Sequence, residues 1–175
     1  MTDWIALLRG VNVGGITVRS AELAELFRDL GFEGVRTVLA SGNVAFASDD
    51  ADAGALKSRI EAALGERFGY DAWIVLLTRE ALAAAADGFP FDADDPSRQP
   101  YLVFGSDDAV LDELAGLAAD PESTGDPVAP GTGVLYWSPV KGTTITSPFG
   151  VLLGKAKYKP TTTTRNLRTV AKLLG

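Results

Sequence analysis

Three short stretches of this chain carry residues able to do chemistry. The first is Arg9-Gly10-Val11-Asn12-Val13-Gly14-Gly15, where the apolar run Trp4–Leu8 ends in a glycine-rich turn. Glycines let successive backbone amides turn inward around an anion. Arg9 closes a stretch of buried character, so its charge requires a carboxylate or a bound anion beside it. The second stretch, Thr161-Thr162-Thr163-Thr164-Arg165-Asn166, opens a basic helix that reaches Lys172. With Thr163 or Thr164 as N-cap, Leu167, Val170, Ala171 and Leu174 form an apolar stripe. Arg165, Arg168, Thr169 and Lys172 then cluster on the remaining surface. Arg165 in the first turn opposes the helix dipole, at a cost of about 0.3–1 kcal/mol for an exposed charge. A cation, threonine hydroxyls and unpaired amides at one helix start suit a phosphate or a carboxylate. The third stretch, Ser41-Gly42-Asn43, supplies turn chemistry, and beside the glycine turn it would add a hydroxyl and an amide to one pocket. Each stretch also has a plainer reading: a tight glycine connection, an ordinary hairpin turn, and an Arg165 paired with an acid of the body.

What the chain lacks narrows the chemistry. It contains no histidine and no cysteine. That removes the commonest general base, thiol nucleophiles and ordinary zinc sites. Any reaction would have to use Asp, Glu, Lys, Arg, Tyr, Ser, Thr or backbone amides. The glycine turn lacks the Gly-Lys-Ser/Thr ending of a P-loop and the G-x-G-x-x-G spacing. Asp49-Asp50-Ala51-Asp52 and Asp92-Ala93-Asp94-Asp95 could attract a hard cation, but neither continues into an EF-hand, so they read as solvated loops. Neither a metal nor a cofactor is expected. Lys155-Ala156-Lys157-Tyr158-Lys159, if extended, sets three lysines on one side and Tyr158 on the other. That pattern suits nucleic acid, and solvated loop lysines produce it equally.

The formal net charge of −7 is unevenly spread. Residues 127–175 hold no acid and carry +7, leaving −14 on the first 126 residues. A basic segment folded against an acidic body forms a local anion site or merely neutralises its neighbours. At 46% apolar and 22% charged residues, the composition is that of a soluble globular protein. A chain of this length buries roughly 70% of its unfolded surface, so neither metal nor disulfide is needed for stability. No run approaches the roughly 18 apolar residues of a membrane span, and Asp3 ahead of Trp4–Leu8 argues against a signal peptide. A cytoplasmic protein with no membrane partner is expected.

The elements that must position these residues follow from hydrophobic period and turn signals. Trp4–Leu8 reads as a strand and Ser20–Leu30 as a helix capped by Ser20 and ended by Gly31. Val35–Ala40 and Val44–Ala47 read as strands around Ser41–Asn43, Ala53–Phe68 as a helix and Ala72–Leu77 as a strand. The first half is thus β-α-β-β-α-β, a ferredoxin-like order. Thr78 caps a helix through Ala86, and a Pro/Asp-rich stretch from Phe89 to Pro100 marks a linker. Tyr101–Phe104 is a strand, Asp108–Leu117 a helix, Val128–Ala129 with Val134–Trp137 a hairpin, Ser147–Leu153 a short helix and Arg165–Leu174 the terminal helix. The fold class expected is α+β: two ferredoxin-like halves, 1–78 and 79–175, the second degenerate (β-α-β-β-α) with a C-terminal helix, in one compact unit.

LLRGVNVGG, VRTVLASGNVAF and TTTTRNLRTVAKL, in that order, resemble the bacterial family known as domain of unknown function 1697. The resemblance spans essentially the whole chain and rests on the three blocks together. It implies an α+β fold of ferredoxin-like parts and no established activity. The positions it singles out are Arg9, Gly10, Asn12, Gly14, Gly15, Ser41, Gly42, Asn43, Thr164, Arg165, Asn166, Thr169 and Lys172. This sequence departs from the family pattern at Val38, where an aromatic is usual, at Ala40, where a polar residue is usual, and at Leu167, where Trp is usual. Only Arg19 remains of the basic stretch that follows the paired glycines.

The function expected is a non-catalytic anion-binding module. Arg9, the amides of Gly10–Gly15, Asn43 and the Arg165/Asn166 helix start would converge on a phosphate- or carboxylate-bearing ligand, a nucleotide or nucleic acid included. Two alternatives stand beside it. One is a histidine-free hydrolase or transferase using Arg9 and Arg165 for charge stabilisation and Ser41 or a lysine for proton transfer. The other is a purely structural role for the motifs, with function in an oligomeric surface. Oligomeric state is not readable.

Overall fold

The apolar run behind Arg9 becomes the central strand of a sheet. The structure, a computed structural model, describes residues 1–9, 17–39, 42–120, 122 and 125–175. It divides into two units, Met1–Leu82 with Lys172–Gly175, and Ala83–Ala171. In the first unit β1 (Thr2–Leu8) is followed by α1 (Ser20–Asp29), β2 (Glu33–Thr37), β3 (Asn43–Ser48), α2 (Ala53–Phe68) and β4 (Ile74–Thr78). The strands form one sheet in the order β2-β3-β1-β4, every neighbour antiparallel. Alternation along the strands turns Trp4, Ala6, Leu8, Val44, Phe46 and Ile74 to one face, where they pack with Leu23, Leu26 and Phe27 of α1 and Leu56, Ile60 and Leu64 of α2. Phe27, Phe32 and Phe46 meet as a ring cluster with centroids 4.5–5.9 Å apart. Full burial of each such ring contributes about 1.5–3 kcal/mol.

The second unit takes in the end of α3 (Arg79–Asp87), then β5 (Tyr101–Gly105), α4 (Asp108–Leu117), β6 (Val128–Gly131), β7 (Val134–Trp137), α5 (Pro148–Leu153) and β8 (Thr162–Asn166). α6 (Leu167–Leu174) gives its first residues to this unit and its last three to the other. The sheet order is β6-β7-β5-β8, again antiparallel throughout. Val103, Leu135 and Trp137 pack with Leu111 and Leu114 of α4 and Phe149 of α5. On the opposite face the buried Tyr136 hydroxyl donates to the Ala85 carbonyl at 2.7 Å.

Two expectations are corrected. The second half is not short of its fourth strand, because Thr162–Asn166 pairs with β5 from Gly105↔Thr162 to Tyr101↔Asn166. The terminal helix accordingly begins at Leu167, not at Arg165. Threonine is β-branched and fits a pleated strand better than a helix. Among the described residues the architecture is mixed α+β, with two four-stranded antiparallel sheets and six helices.

Candidate functional site

Backbone hydrogen bonds hold Arg9 at one end of the first sheet. The Leu8 N–H donates to the Gly42 carbonyl at 2.8 Å, and the Arg9 N–H donates to the Trp73 carbonyl at 3.2 Å. Arg9 is therefore fixed between the β2–β3 turn and the approach to β4. It is half-buried, and this burial lowers the guanidinium pKa from its ordinary value. An arginine this far above neutrality stays charged. A partly desolvated cation at a strand end is favourable ground for an anion.

The β2–β3 turn is built with equal care. The Val38 N–H donates to the Asn43 carbonyl at 3.0 Å, and Asn43 Nδ2 donates back to the Val38 carbonyl at 2.9 Å. Asn43 is fully buried, so its amide works inside the turn. Gly42 adopts φ +75°, and Leu39 adopts φ +58°. A left-handed conformation costs a residue with a Cβ about 1–2 kcal/mol. The Leu39 carbonyl is pinned by a hydrogen bond from Ser20 Oγ at 3.3 Å. The expected N-cap role of Ser20 is corrected: Arg19 occupies the cap position with no side-chain bond, and the Ser20 hydroxyl is directed at Leu39. Gly10, Asn12, Gly14, Gly15 and Ser41 lie outside the described residues.

The remaining candidates belong to β8 and α6. Thr164 is half-buried opposite Val103. Arg165 is buried opposite Leu102, and its Nη1 donates to Thr163 Oγ1 at 2.6 Å and to the Thr164 carbonyl at 3.1 Å. It sits in a strand, so the conflict with a helix dipole does not arise. Asn166 is the residue that caps α6: its Oδ1 accepts the Arg168 N–H at 2.9 Å while its Nδ2 donates to Gln99 Oε1 at 3.0 Å. The expected caps, Thr163 and Thr164, are replaced by Asn166. Thr169 is half-buried on α6 and Lys172 exposed. Thus Arg9, Gly42 and Asn43 come together in the first unit and Thr164, Arg165 and Asn166 along one strand of the second. Lys172 falls with the first unit.

Other residues take unexpected places. Arg36 donates to the carbonyls of Lys172 and Leu173 at 2.9 and 2.7 Å, and Arg79 donates to that of Leu174. Two cations thereby satisfy the last carbonyls of α6 and meet the negative end of its dipole. Tyr158, expected opposite three lysines on an extended segment, is buried in the core of the second unit. Lys157 donates to Glu113 instead of facing solvent alone. Asp92 and Asp95 accept hydrogen bonds from backbone amides two residues on, as Asx-turns do. Among the described residues no group of three acids is arranged to hold a metal ion, and no helix is long and apolar enough to cross a membrane.

Two sheets of one strand order, each with helices packed on one face, define an α+β protein made of two like units in succession. The chain belongs to the family described as "Protein of unknown function (DUF1697)", matched over residues 1–136. No curated protein is matched. The chain is also similar to the solved structure of the conserved bacterial protein SP0830 from Streptococcus pneumoniae, with a TM-score of 0.82 and 23% identity over 99% of this chain and 97% of that one. At that identity the likeness extends to the fold alone.

Proposed function

We propose that the chain is a non-catalytic anion-binding module of ferredoxin-like build, taking a phosphate- or carboxylate-bearing ligand at the sheet end that carries Arg9. The ferredoxin-like reading is supported by the strand orders β2-β3-β1-β4 and β6-β7-β5-β8, with a helix after the first and third strand of each set. The binding reading rests on one observation: a half-buried arginine held by its backbone beside a turn whose buried asparagine and glycine fix it in place. Holding the Arg9 backbone in place lowers the ordering cost when its side chain meets an anion. Arg165 and Thr163 supply a second cation and hydroxyl pair in the second unit. A phosphorylated small molecule and a nucleic-acid backbone both present the group required.

Calorimetric titration of the full chain with inorganic phosphate, pyrophosphate and a short single-stranded RNA tests this. Arg9→Met keeps the apolar stem and removes the charge, and it should weaken binding by about tenfold or more, the scale of one charge-assisted contact. Arg165→Met reports separately whether the cation of the second unit contributes an anion contact of its own. RNA affinity should fall steeply with salt through counterion release. No binding of any of these anions at low salt would sink the proposal.

A further inference from the structure

We propose that the ligand of this site carries an apolar or flat body joined to its anionic group, and that Leu39 is the surface receiving that body. The inference rests on the anion-binding reading of Arg9. Leu39 is the non-glycine residue with left-handed φ among the described residues, at +58°. For a bulky side chain this is a true outlier. Folding does not recover the strain, because Leu39 is 52% exposed and so buries little. Glycine or asparagine would make the same turn more cheaply. The conformation is nonetheless over-determined: the paired bonds between Val38 and Asn43 close the turn, and Ser20 Oγ holds the Leu39 carbonyl. Strain held so firmly, in a residue the core does not use, points to a role outside folding.

Its position supplies the role. β2 and β1 flank β3, both antiparallel to it, so they run in the same direction. Val38 on one side and Leu7 on the other both neighbour Asn43. Leu39 and Arg9 therefore leave the sheet at the same end, two strand spacings apart, roughly 10 Å. An arginine side chain and one ring-sized group together bridge such a span. An exposed leucine whose backbone stands that far from the backbone of a half-buried arginine matches a ligand with an anion at one end and an apolar face at the other.

The experiment compares inorganic phosphate with phenyl phosphate, titrated into the full chain and into its Leu39→Gly and Leu39→Asn variants. The parent should bind phenyl phosphate about tenfold more tightly than inorganic phosphate, the scale of burying most of a ring face. Both variants should lose that preference, keep the parent's affinity for inorganic phosphate, and melt no lower than the parent. Equal binding of the two phosphates by the parent would overturn the inference, as would a preference surviving in both variants. A clear fall in melting temperature in both would also overturn it, by assigning Leu39 to folding. If neither phosphate binds the parent, the anion-binding reading itself fails; if inorganic phosphate binds and the ring adds nothing, only the role of Leu39 does.

Discussion

The β2–β3 and β6–β7 turns occupy the same place in two sheets of one strand order, yet they are made differently. In the second unit Gly131 pairs with Val134, leaving Thr132 and Gly133 as a two-residue turn. Its left-handed position is Gly133, at φ +70° with open space where a Cβ would stand. That is the economical solution for a hairpin. In the first unit Val38 and Asn43 enclose a longer turn, a buried amide bonds across it, and a left-handed position falls to leucine. Hairpins at this place in the fold can thus be made without strain. The turn beside Arg9 carries a strain that its counterpart does without.

The comparison breaks most visibly at Asn43. Asn43→Ala removes a fully buried amide and leaves the Val38 carbonyl without that donor. A loss of about 2–4 kcal/mol is expected, from an unsatisfied buried group and the space left behind. Urea unfolding reads the loss, and amide exchange at Leu8, whose N–H bonds Gly42, reads its local part. Thr132→Ala in the other turn should stay within about 0.5 kcal/mol. Equal effects at the two sites would mean that the turns are not held differently after all.

A smaller pair of effects has opposite signs. Gly133→Ala places a Cβ in open space, so its cost is conformational alone, about 1–2 kcal/mol. Leu39→Gly regains a similar strain energy but adds glycine's chain entropy of roughly 0.5–1 kcal/mol. A net gain of about 0–1.5 kcal/mol is expected. Melting curves of the two variants decide the matter: a loss in both would show Leu39 to be a folding residue.

Much of this was legible locally. Trp4–Leu8 is an unbroken apolar run, Gly31 with φ +88° ends α1, and Thr78 caps α3 by accepting the Ala81 N–H. β8 was not, because Thr161–Asn166 satisfies the vocabulary of a helix start as well as that of a strand. What decides between them is pairing with β5, more than fifty residues away in sequence. Tyr158 misleads in the same way: interleaved with lysines it reads as a surface aromatic, and only the packing of the second unit buries it. For the site, the sequence points to Arg9 and Asn43 but says nothing of φ at Leu39, which looks like one more apolar strand residue. The Arg36 and Arg79 bonds to the end of α6 join residues 136, 137 and 95 positions apart and leave no local trace.

The smallest expected effect separates the two regions by pH. The side-chain bonds of the β2–β3 turn come from an amide and a hydroxyl, neither of which titrates in the ordinary range. In the second unit exposed Glu113 accepts from Lys157 and, secondarily, from Tyr158, and these bonds hold its carboxyl below the ordinary value. The same contact raises Lys157, chiefly through the hydrogen bond to Glu113. A depressed carboxylate contributes stability that is full above its unfolded pKa and lost as pH falls through the folded one. A raised lysine contributes below its unfolded pKa and loses that contribution as pH rises through the folded one. The cluster's contribution should therefore be level across neutrality and fade in acid. Melting of Glu113→Gln against the parent, from about pH 7 down to about pH 3, should show a small deficit at neutrality that closes in acid. A deficit unchanged at the acid end would mean that the residue acts through packing, and no deficit at neutrality would mean that solvent screens the pair completely.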